Sequence, residues 1–502
     1  MFTKLKITIG RLKLETVKLS VITAMAIAVK FIFQILLGRV FGISWQLDSF
    51  FVTITILGLL GFSSDYFISL FIPIFNDVRQ DSSKESNIFV DVVIKWAFVL
   101  SIFIIIFVKI FGIWIIRIVA PGLSQESVAL AKQLMDIFIF ALIFSQTHRI
   151  LTLSLNSLHY YSFPAIIRFI PSLTNICFLF IFVPSYGIKV LALGSVFSNA
   201  LSAAVLLVFF HFKTGWMPTW RFYHKKIPLL ISKSTKMSVN SAIWGLRRVI
   251  VNNFASRLGE GSISIFYYAD KIITALITVV VSPALRVYYS RISQLMSGAQ
   301  WDKIRDLFKR VVKINMAVSF MIASSVAVFL PSFLRVLFLG SKFSLSDINI
   351  ISALVNVLLV YFLILSFENY LSMIVIAQKR MGVVAINAVL GVAVLFLFLL
   401  FSYKRYGMHS LSLGYVLSTM AICICYFFFT RKVLRLNITI LIVGLLKSFF
   451  IAFGFTSLGL ILRMFVPHDN IIVFCVFPVW FASYVILSYK VLKKEKEIIF
   501  AK

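Results

Sequence analysis

The sequence predicts an all-α protein that crosses a membrane many times. Three observations lead there: an extreme apolar composition, a series of span-length apolar runs, and a pattern that recurs in the two halves of the chain. Of the 502 residues, 61% are hydrophobic and only 13% charged, and the mean hydropathy is +1.00. Soluble domains carry about 25% charged residues. An apolar run of about 20 residues spans a bilayer as a helix. Fourteen such runs occur, at about 18–38, 49–76, 89–115, 131–157, 163–183, 187–211, 228–256, 263–287, 311–339, 349–376, 381–402, 409–430, 438–462 and 471–491. In lipid each segment must satisfy its own backbone groups, so every run is predicted to be helical. The first run is span-length and no small-residue cleavage site follows it, so it reads as a retained span rather than a signal peptide.

The recurrence organises these spans. Phe41-Gly42 precedes Phe50-Phe51-Val52 at the same spacing by which Leu258-Gly259 precedes Tyr267-Tyr268-Ala269. Arg117 and Gly122 are likewise matched by Arg335 and Gly340. Both comparisons give an offset of about 217 residues, which reads as an internal repeat. Two pseudo-symmetric six-helix lobes are therefore expected, residues 1–225 and 226–432, with two further helices and a basic tail in 433–502. Transporters built from internal repeats place their substrate site where the repeats meet.

The formal net charge of +31 is distributed by side of the membrane. Basic residues crowd the N-terminal tail (Lys4, Lys6, Arg11, Lys13), the loop after span 6 (Lys213, Arg221, Lys225, Lys226) and the loop after span 8 (Arg291, Lys303, Arg305, Lys309, Arg310). They recur at Lys379-Arg380, at Arg431, Lys432 and Arg435, and in the C-terminal tail. The alternate loops hold far fewer. This positive-inside bias places both termini in the cytoplasm of a bacterial inner membrane, with the basic loops near anionic headgroups. It also argues against nucleic acid as a partner. The chain is expected to be monomeric.

Residues for chemistry are sparse. Cys177, Cys423, Cys425 and Cys475 lie inside predicted spans and form no disulfide or metal pattern. The six histidines are scattered, no phosphate-binding glycine loop occurs, and the outward loops are short. No cofactor, metal or catalytic centre is expected; the pattern suits a protein that moves its substrate.

Charges inside the spans are the candidate functional residues, because each is costly unless it faces a cavity or a partner. Lys30 lies near the middle of span 1, with Arg39 and Asp48 flanking its outer end. Arg247 and Arg248 lie in span 7, and Asp270 and Lys271 in span 8. Being adjacent, Arg247 and Arg248 cannot share one helix face. Lys30, Arg39, Asp48, Arg247, Arg248, Asp270 and Lys271 form the candidate substrate-binding set, and Asp65 and Glu368 are candidate coupling residues. A cationic cavity at membrane depth calls for an anion. Arginine grips pyrophosphate oxygens through two parallel hydrogen bonds, and a lipid-linked pyrophosphate carries that anion on a tail that stays in the bilayer.

The run Val251-Asn252-Asn253-Phe254-Ala255-Ser256, with Gly261-Ser262-Ile263-Ser264 and Tyr267-Tyr268-Ala269-Asp270-Lys271-Ile272, resembles the lipid II flippases (MurJ/MviN type) of the multidrug/oligosaccharidyl-lipid/polysaccharide exporter superfamily. Asp48-Ser49-Phe50-Phe51-Val52, Phe71-Ile72-Pro73-Ile74-Phe75, Ala120-Pro121-Gly122, Leu155-Asn156-Ser157 and Phe163-Pro164-Ala165 resemble the same family, in the same order. The resemblance implies fourteen helices, two six-helix lobes, a cationic central cavity, and outward flipping of an undecaprenyl-pyrophosphate-linked peptidoglycan precursor by alternating access. The chain also departs from the family. Where the first helix of the family reads Ser-Arg-x-x-Gly-x-x-Arg-acidic, this chain has Ala26-Ile27-Ala28-Val29-Lys30-Phe31-Ile32-Phe33-Gln34. The family's Leu-Arg-Arg falls near Leu60-Gly61-Phe62, its Asp-Thr-Arg-Thr-Pro is reduced to Gln378-Lys379-Arg380, and Lys271 stands where arginine is usual.

The function expected is thus a flippase for lipid II or a related undecaprenyl-pyrophosphate-linked saccharide. The alternatives are a cation-coupled multidrug exporter of the same superfamily, which would favour carboxylates in its cavity, and a polytopic membrane enzyme, which would need acids or histidines on a substantial outer loop.

Overall fold

A computed structural model describes residues 2–338, 341–434, 438–465 and 480. Those residues are helical throughout apart from short connections, with no strand among them. Nine helical stretches among them are long and apolar enough to cross a membrane, ten if one bent pair is taken as a single span. The protein is a polytopic all-α membrane protein. Span 14 lies outside the described residues except for Trp480, as does Gly340 of the repeat.

The chain divides into two compact units, Met1–Gly261 and Ser262–Lys502. Unit 1 comprises α1 (Phe2–Phe41), α2 (Trp45–Asp81), α3 (Ser83–Val119), α4 (Gln125–Phe138), α5 (Ala141–Ser157), α6 (Ser162–Ile167), α7 (Phe169–Ile181), α8 (Val183–Tyr186), α9 (Lys189–Thr214) and α10 (Ile227–Ser256). Local chemistry fixes several of the ends. Ser44, Ser82 and Ser124 cap α2, α3 and α4 by accepting from the N–H groups of Leu47, Glu85 and Ser127, satisfying donors that a helix start leaves open. Gly215 closes α9 in the left-handed conformation, which glycine adopts without strain.

Two expected spans prove to be broken. The fourth bends by 44° between α4 and α5, where Phe140 N–H reaches back only to Ile137 O, a tighter turn than the α-helix. The fifth is interrupted at Arg168 and Phe182. Pro171 and Pro184 follow these breaks by two or three residues, and a proline can neither donate to nor sit against the carbonyl four residues back.

At one end of unit 1, helices α2, α3, α5, α9 and α10 share a core of Phe71, Phe75, Phe89, Leu151, Phe210 and Leu230. Phe71 stacks on both Phe75 and Phe89. The connection at Ser82 and those over 158–161 and 215–226 gather at this end. Connections 42–44, 120–124 and 257–261 gather at the other, as alternate loops of a membrane protein must.

Unit 2 comprises α11 (Ser262–Leu276), a π-turn over Ile277–Val281, α12 (Ser282–Ser297), α13 (Trp301–Phe338), α14 (Leu345–Ala377), α15 (Met381–Tyr406), α16 (Met408–Leu434) and α17 (Ile438–Phe465). The π-turn ends two residues before Pro283, whose missing N–H shifts the hydrogen-bond ladder. The basic stretch expected as a loop after span 8 is almost wholly helical: Arg291 lies on α12, and Lys303, Arg305, Lys309 and Arg310 lie on α13. Ile304, Phe308 and Val312, one turn apart, are all fully buried, so the segment has an apolar stripe to dock. Helix α17 packs on α13, where the Ser324 and Thr456 hydroxyls lie 2.7 Å apart and Trp480 meets Phe329 and Phe455.

Candidate functional site

The motif residues of unit 1 converge on one place, where the last turns of α10 meet the tips of α2, α3 and α4. Asn252 Nδ2 donates to Thr55 Oγ1 at 3.0 Å, and Asn253 Nδ2 donates to Ile118 O at 2.7 Å. The Ser256 hydroxyl accepts from Gly122 N–H at 3.1 Å. From the other side, Asp48 accepts from Gly261 N–H at 2.7 Å and Glu260 accepts from Trp45 N–H at 3.1 Å. Beneath this ring Ser49 and Thr53 donate to Ser127 O and Ala131 O, tying α4 to α2.

Two glycines make the approach possible. A β-carbon on Gly122 would run into the carbonyl of Ser256, which is backbone and has no rotamer to escape into. Gly261 has φ +82°, and its β-carbon would strike Ile43. We call this hydrogen-bonded closure the latch. The sequence assigns Asp48 to substrate binding; in this structure it is 1% exposed and engaged with the 257–261 turn. The parts played by Gly122, Ser256 and Gly261 were not foreseen, although the motifs containing them were.

The intramembrane bases of unit 1 divide by face. Arg247 is 6% exposed, and its guanidinium lies 5.3 Å from the Trp244 ring centroid. It sits about 7.5 Å from Asn252 along α10 at 1.5 Å per residue, so a buried cation lies just beneath the latch. Arg248, about 100° round the helix from Arg247, is exposed, and so are Lys30 and Arg39 on α1. The Asp65 side chain lies outside the described residues. Sequence reading passed over Arg149 and Arg168. Arg149 is half-buried on α5, and Arg168, at the α6–α7 break, bears electrostatically on His148; neither stands in a motif that would have marked it.

In unit 2, Asp270 and Lys271 are half-buried on α11, and the Lys271 ammonium lies 4.6 Å from the Tyr267 ring centroid. Tyr268 beside it is 7% exposed and packs edge-on against Phe338 and Phe343. Glu368 is 5% exposed within α14 and acts electrostatically on Cys423 and Tyr426 of α16. Among the described residues no cluster of histidine, cysteine and carboxylate could hold a metal ion.

Comparison with known proteins accords with these motifs. Residues 37–480 match the sequence profile of the family "Lipid II flippase MurJ". The chain is 30% identical over 270 residues to a protein of Buchnera aphidicola (from Acyrthosiphon pisum) described as a "probable lipid II flippase MurJ", covering 51% of this chain and 52% of that one. It is 28% identical over 275 residues to the lipid II flippase MurJ of Burkholderia cenocepacia, covering 50% and 52%. The aligned part thus spans about half the length of these relatives. By fold, a structure described as "Lipid II flippase MurJ, inward closed conformation" superposes with a TM-score of 0.80 at 18% identity, over 94% of this chain and 99% of that one. An inward-facing multidrug resistance MATE family transporter of the MOP superfamily follows at 0.72 and 14%, over 81% and 94%. The chain belongs to the lipid II flippase MurJ family.

Proposed function

We propose that this chain carries a lipid-linked pyrophosphoryl saccharide, lipid II or a close relative, from the inner to the outer leaflet of a bacterial inner membrane by alternating access. The observation that carries the proposal is the family match over residues 37–480, together with the bases that the chain keeps at membrane depth. Lys30, Arg247, Arg248 and Lys271 hold the pyrophosphate in the course of transport. Arginine does so with its two-pronged donor set, and Lys271 as a compact charge that binds and releases more readily. Arg39, Asp48 and Asp270 set the position of these bases and of the head group. The latch closes the outer end while the substrate loads, and its hydrogen bonds must break for the substrate to leave. Both termini lie in the cytoplasm, the chain works as a monomer, and lobes 1–225 and 226–432 move as bodies with 433–502 alongside. Glu368 and Asp65 are the residues through which an ion or the membrane potential drives the cycle, since a carboxylate within a membrane span is costly to keep without a task.

A second reading, a multidrug exporter, is favoured by the likeness to the MATE fold. It requires cation-binding carboxylates to dominate where bases dominate here.

The deciding experiment is flipping of lipid II and of other lipid-linked saccharides in reconstituted vesicles. Each charged hydrogen bond to a desolvated anion contributes roughly 1.5–3 kcal/mol, so Lys271→Ala, Arg247→Ala and Arg248→Ala should each weaken substrate binding about ten- to a hundredfold. Lys271→Arg should transport and Lys271→Gln should not. An unchanged flipping rate in the triple alanine variant would rule out the cationic mechanism. Export of cationic drugs without any lipid flipping would favour the second reading.

A further inference from the structure

The connection from α9 to α10, residues 215–226, is not a slack loop. Asp91, 3% exposed, holds it to α3. Its carboxylate accepts from Thr219 N–H at 3.0 Å, from the Thr219 hydroxyl at 2.6 Å and from Lys95 Nζ at 2.7 Å. Lys95 also donates to the carbonyls of Thr219 and Arg221. Trp96 Nε1 donates to Phe222 O at 3.0 Å, Asn87 donates to Thr214 O at 2.8 Å, and buried His224 packs edge-on against Phe89.

What this scaffold displays is unusual for a polar connection. Trp220 is 96% exposed, Tyr223 71% and Phe222 57%, and they alternate with the exposed bases Arg221 and Lys225, with Lys226 half-buried beside them. Exposed aromatic surface of this kind signals a contact that the isolated chain lacks. Its level on α3 identifies the contact. Immediately beyond Trp96, α3 runs to Lys109 without a charged residue. That stretch shows Phe98, Leu100, Phe103, Ile106 and Phe107 on its surface, which is the signature of a face turned to lipid tails. A segment bonded to Trp96 therefore stands at the edge of the hydrocarbon. Tryptophan and tyrosine concentrate at that level, and bases there meet lipid phosphates.

We propose that residues 215–226 form a preformed ledge seated in the headgroup layer of anionic lipid. Trp220, Phe222 and Tyr223 enter the interface, and Arg221, Lys225 and Lys226 pair with lipid phosphates. Because Asp91 and Trp96 fix the segment in advance, the lipid has little chain entropy to overcome, and the ledge holds unit 1 at a set depth. This extends beyond transport itself and stands whichever substrate is carried.

The test uses the full-length protein with its native cysteines replaced and an environment-sensitive dye on Trp220→Cys, reconstituted in vesicles of phosphatidylcholine and phosphatidylglycerol. Lipid-borne bromine should quench the dye while aqueous iodide should not, and brominated phosphatidylglycerol should quench better than brominated phosphatidylcholine. Arg221→Gln, Lys225→Gln and Lys226→Gln together should abolish that preference, each base contributing roughly fivefold, with lipid quenching itself retained. Asp91→Asn, which loosens the scaffold, should let iodide in. Quenching by iodide in the parent protein, or lipid quenching with no preference for the anionic lipid, would overturn the proposal.

Discussion

Placing a single methyl group on Gly122 should open the latch. In Gly122→Ala the new β-carbon would meet the Ser256 carbonyl well inside van der Waals contact, so the 120–122 turn and the end of α10 must part by roughly an ångström. Overpacking of this kind costs about 1–3 kcal/mol. The same displacement weakens the Gly122 N–H to Ser256 bond at 3.1 Å and the Asn253 to Ile118 bond at 2.7 Å, each contributing about 1 kcal/mol net. Relaxation of the turn takes back part of this, leaving a net bias of about 2 kcal/mol. That corresponds to about a thirtyfold larger open population, at 1.4 kcal/mol per factor of ten. The reporter is Ser256→Cys, a near-isosteric change at a site 3% exposed, in a background lacking Cys177, Cys423, Cys425 and Cys475. A membrane-impermeant maleimide should label it about thirty times faster when Gly122→Ala is added. Gly58→Ala is the control. It lies in α2 with no atom near the added carbon, and should leave labelling unchanged while slightly stabilising the helix. Equal labelling of the two latch proteins, both folded, would refute the argument that this close approach holds the latch shut.

Two further outcomes concern the other end of unit 1. Asp91→Ala should destabilise the protein by about 2–3 kcal/mol, because Lys95 is left without its carboxylate and two Thr219 donors lose their acceptor; trypsin should then cut rapidly after Arg221, and unchanged resistance would refute the scaffold. His224 has its pKa lowered, chiefly by burial and further by Lys225 and Lys226 on its own segment, against the opposing pull of Glu85 on α3, whose carboxylate lies 3.6 Å from Nε2 and also faces Arg221. A histidine with a depressed folded pKa is stabilising in its neutral form. Its contribution is therefore complete well above the unfolded value of about 6.5 and is lost as pH falls through that value toward the folded pKa. The melting-temperature advantage of the parent over His224→Gln should shrink below about pH 6.5; an advantage that grows on acidification would reverse the assignment.

The helices were legible in the sequence because lipid allows an apolar run of that length little other structure. The latch was half legible. Val251–Ser256 and Asp48–Val52 were singled out as motifs, but a motif does not say what it touches, and Asn253 bonds to the backbone of Ile118, 135 residues away. The breaks at 139–140 and 168 were not read, since apolar residues continue across them and only the backbone ladder changes. Counting bases by loop says nothing of whether the segment that carries them is coiled or helical. Lys303 to Arg310 decorate a helix whose buried stripe, Ile304, Phe308 and Val312, has a helical period that the loop assignment overlooks.

The latch bonds share a feature with a consequence for how such sequences can change. Four of the five join a side chain to a main-chain atom: Asn253 to Ile118 O, Ser256 to Gly122 N, Asp48 to Gly261 N and Glu260 to Trp45 N. A main-chain partner survives any replacement that keeps the local backbone. Positions 118 and 45 are therefore free to drift as far as these bonds are concerned, and at 122 and 261 only the absence of a β-carbon is constrained. Mutational sensitivity should be lopsided, concentrated in the side chains of Asp48, Asn253, Ser256 and Glu260 and nearly absent from Ile118 and Trp45. A saturation scan would find positions 45 and 118 tolerant opposite the intolerant Glu260 and Asn253, with the two glycines standing out as isolated fixed points.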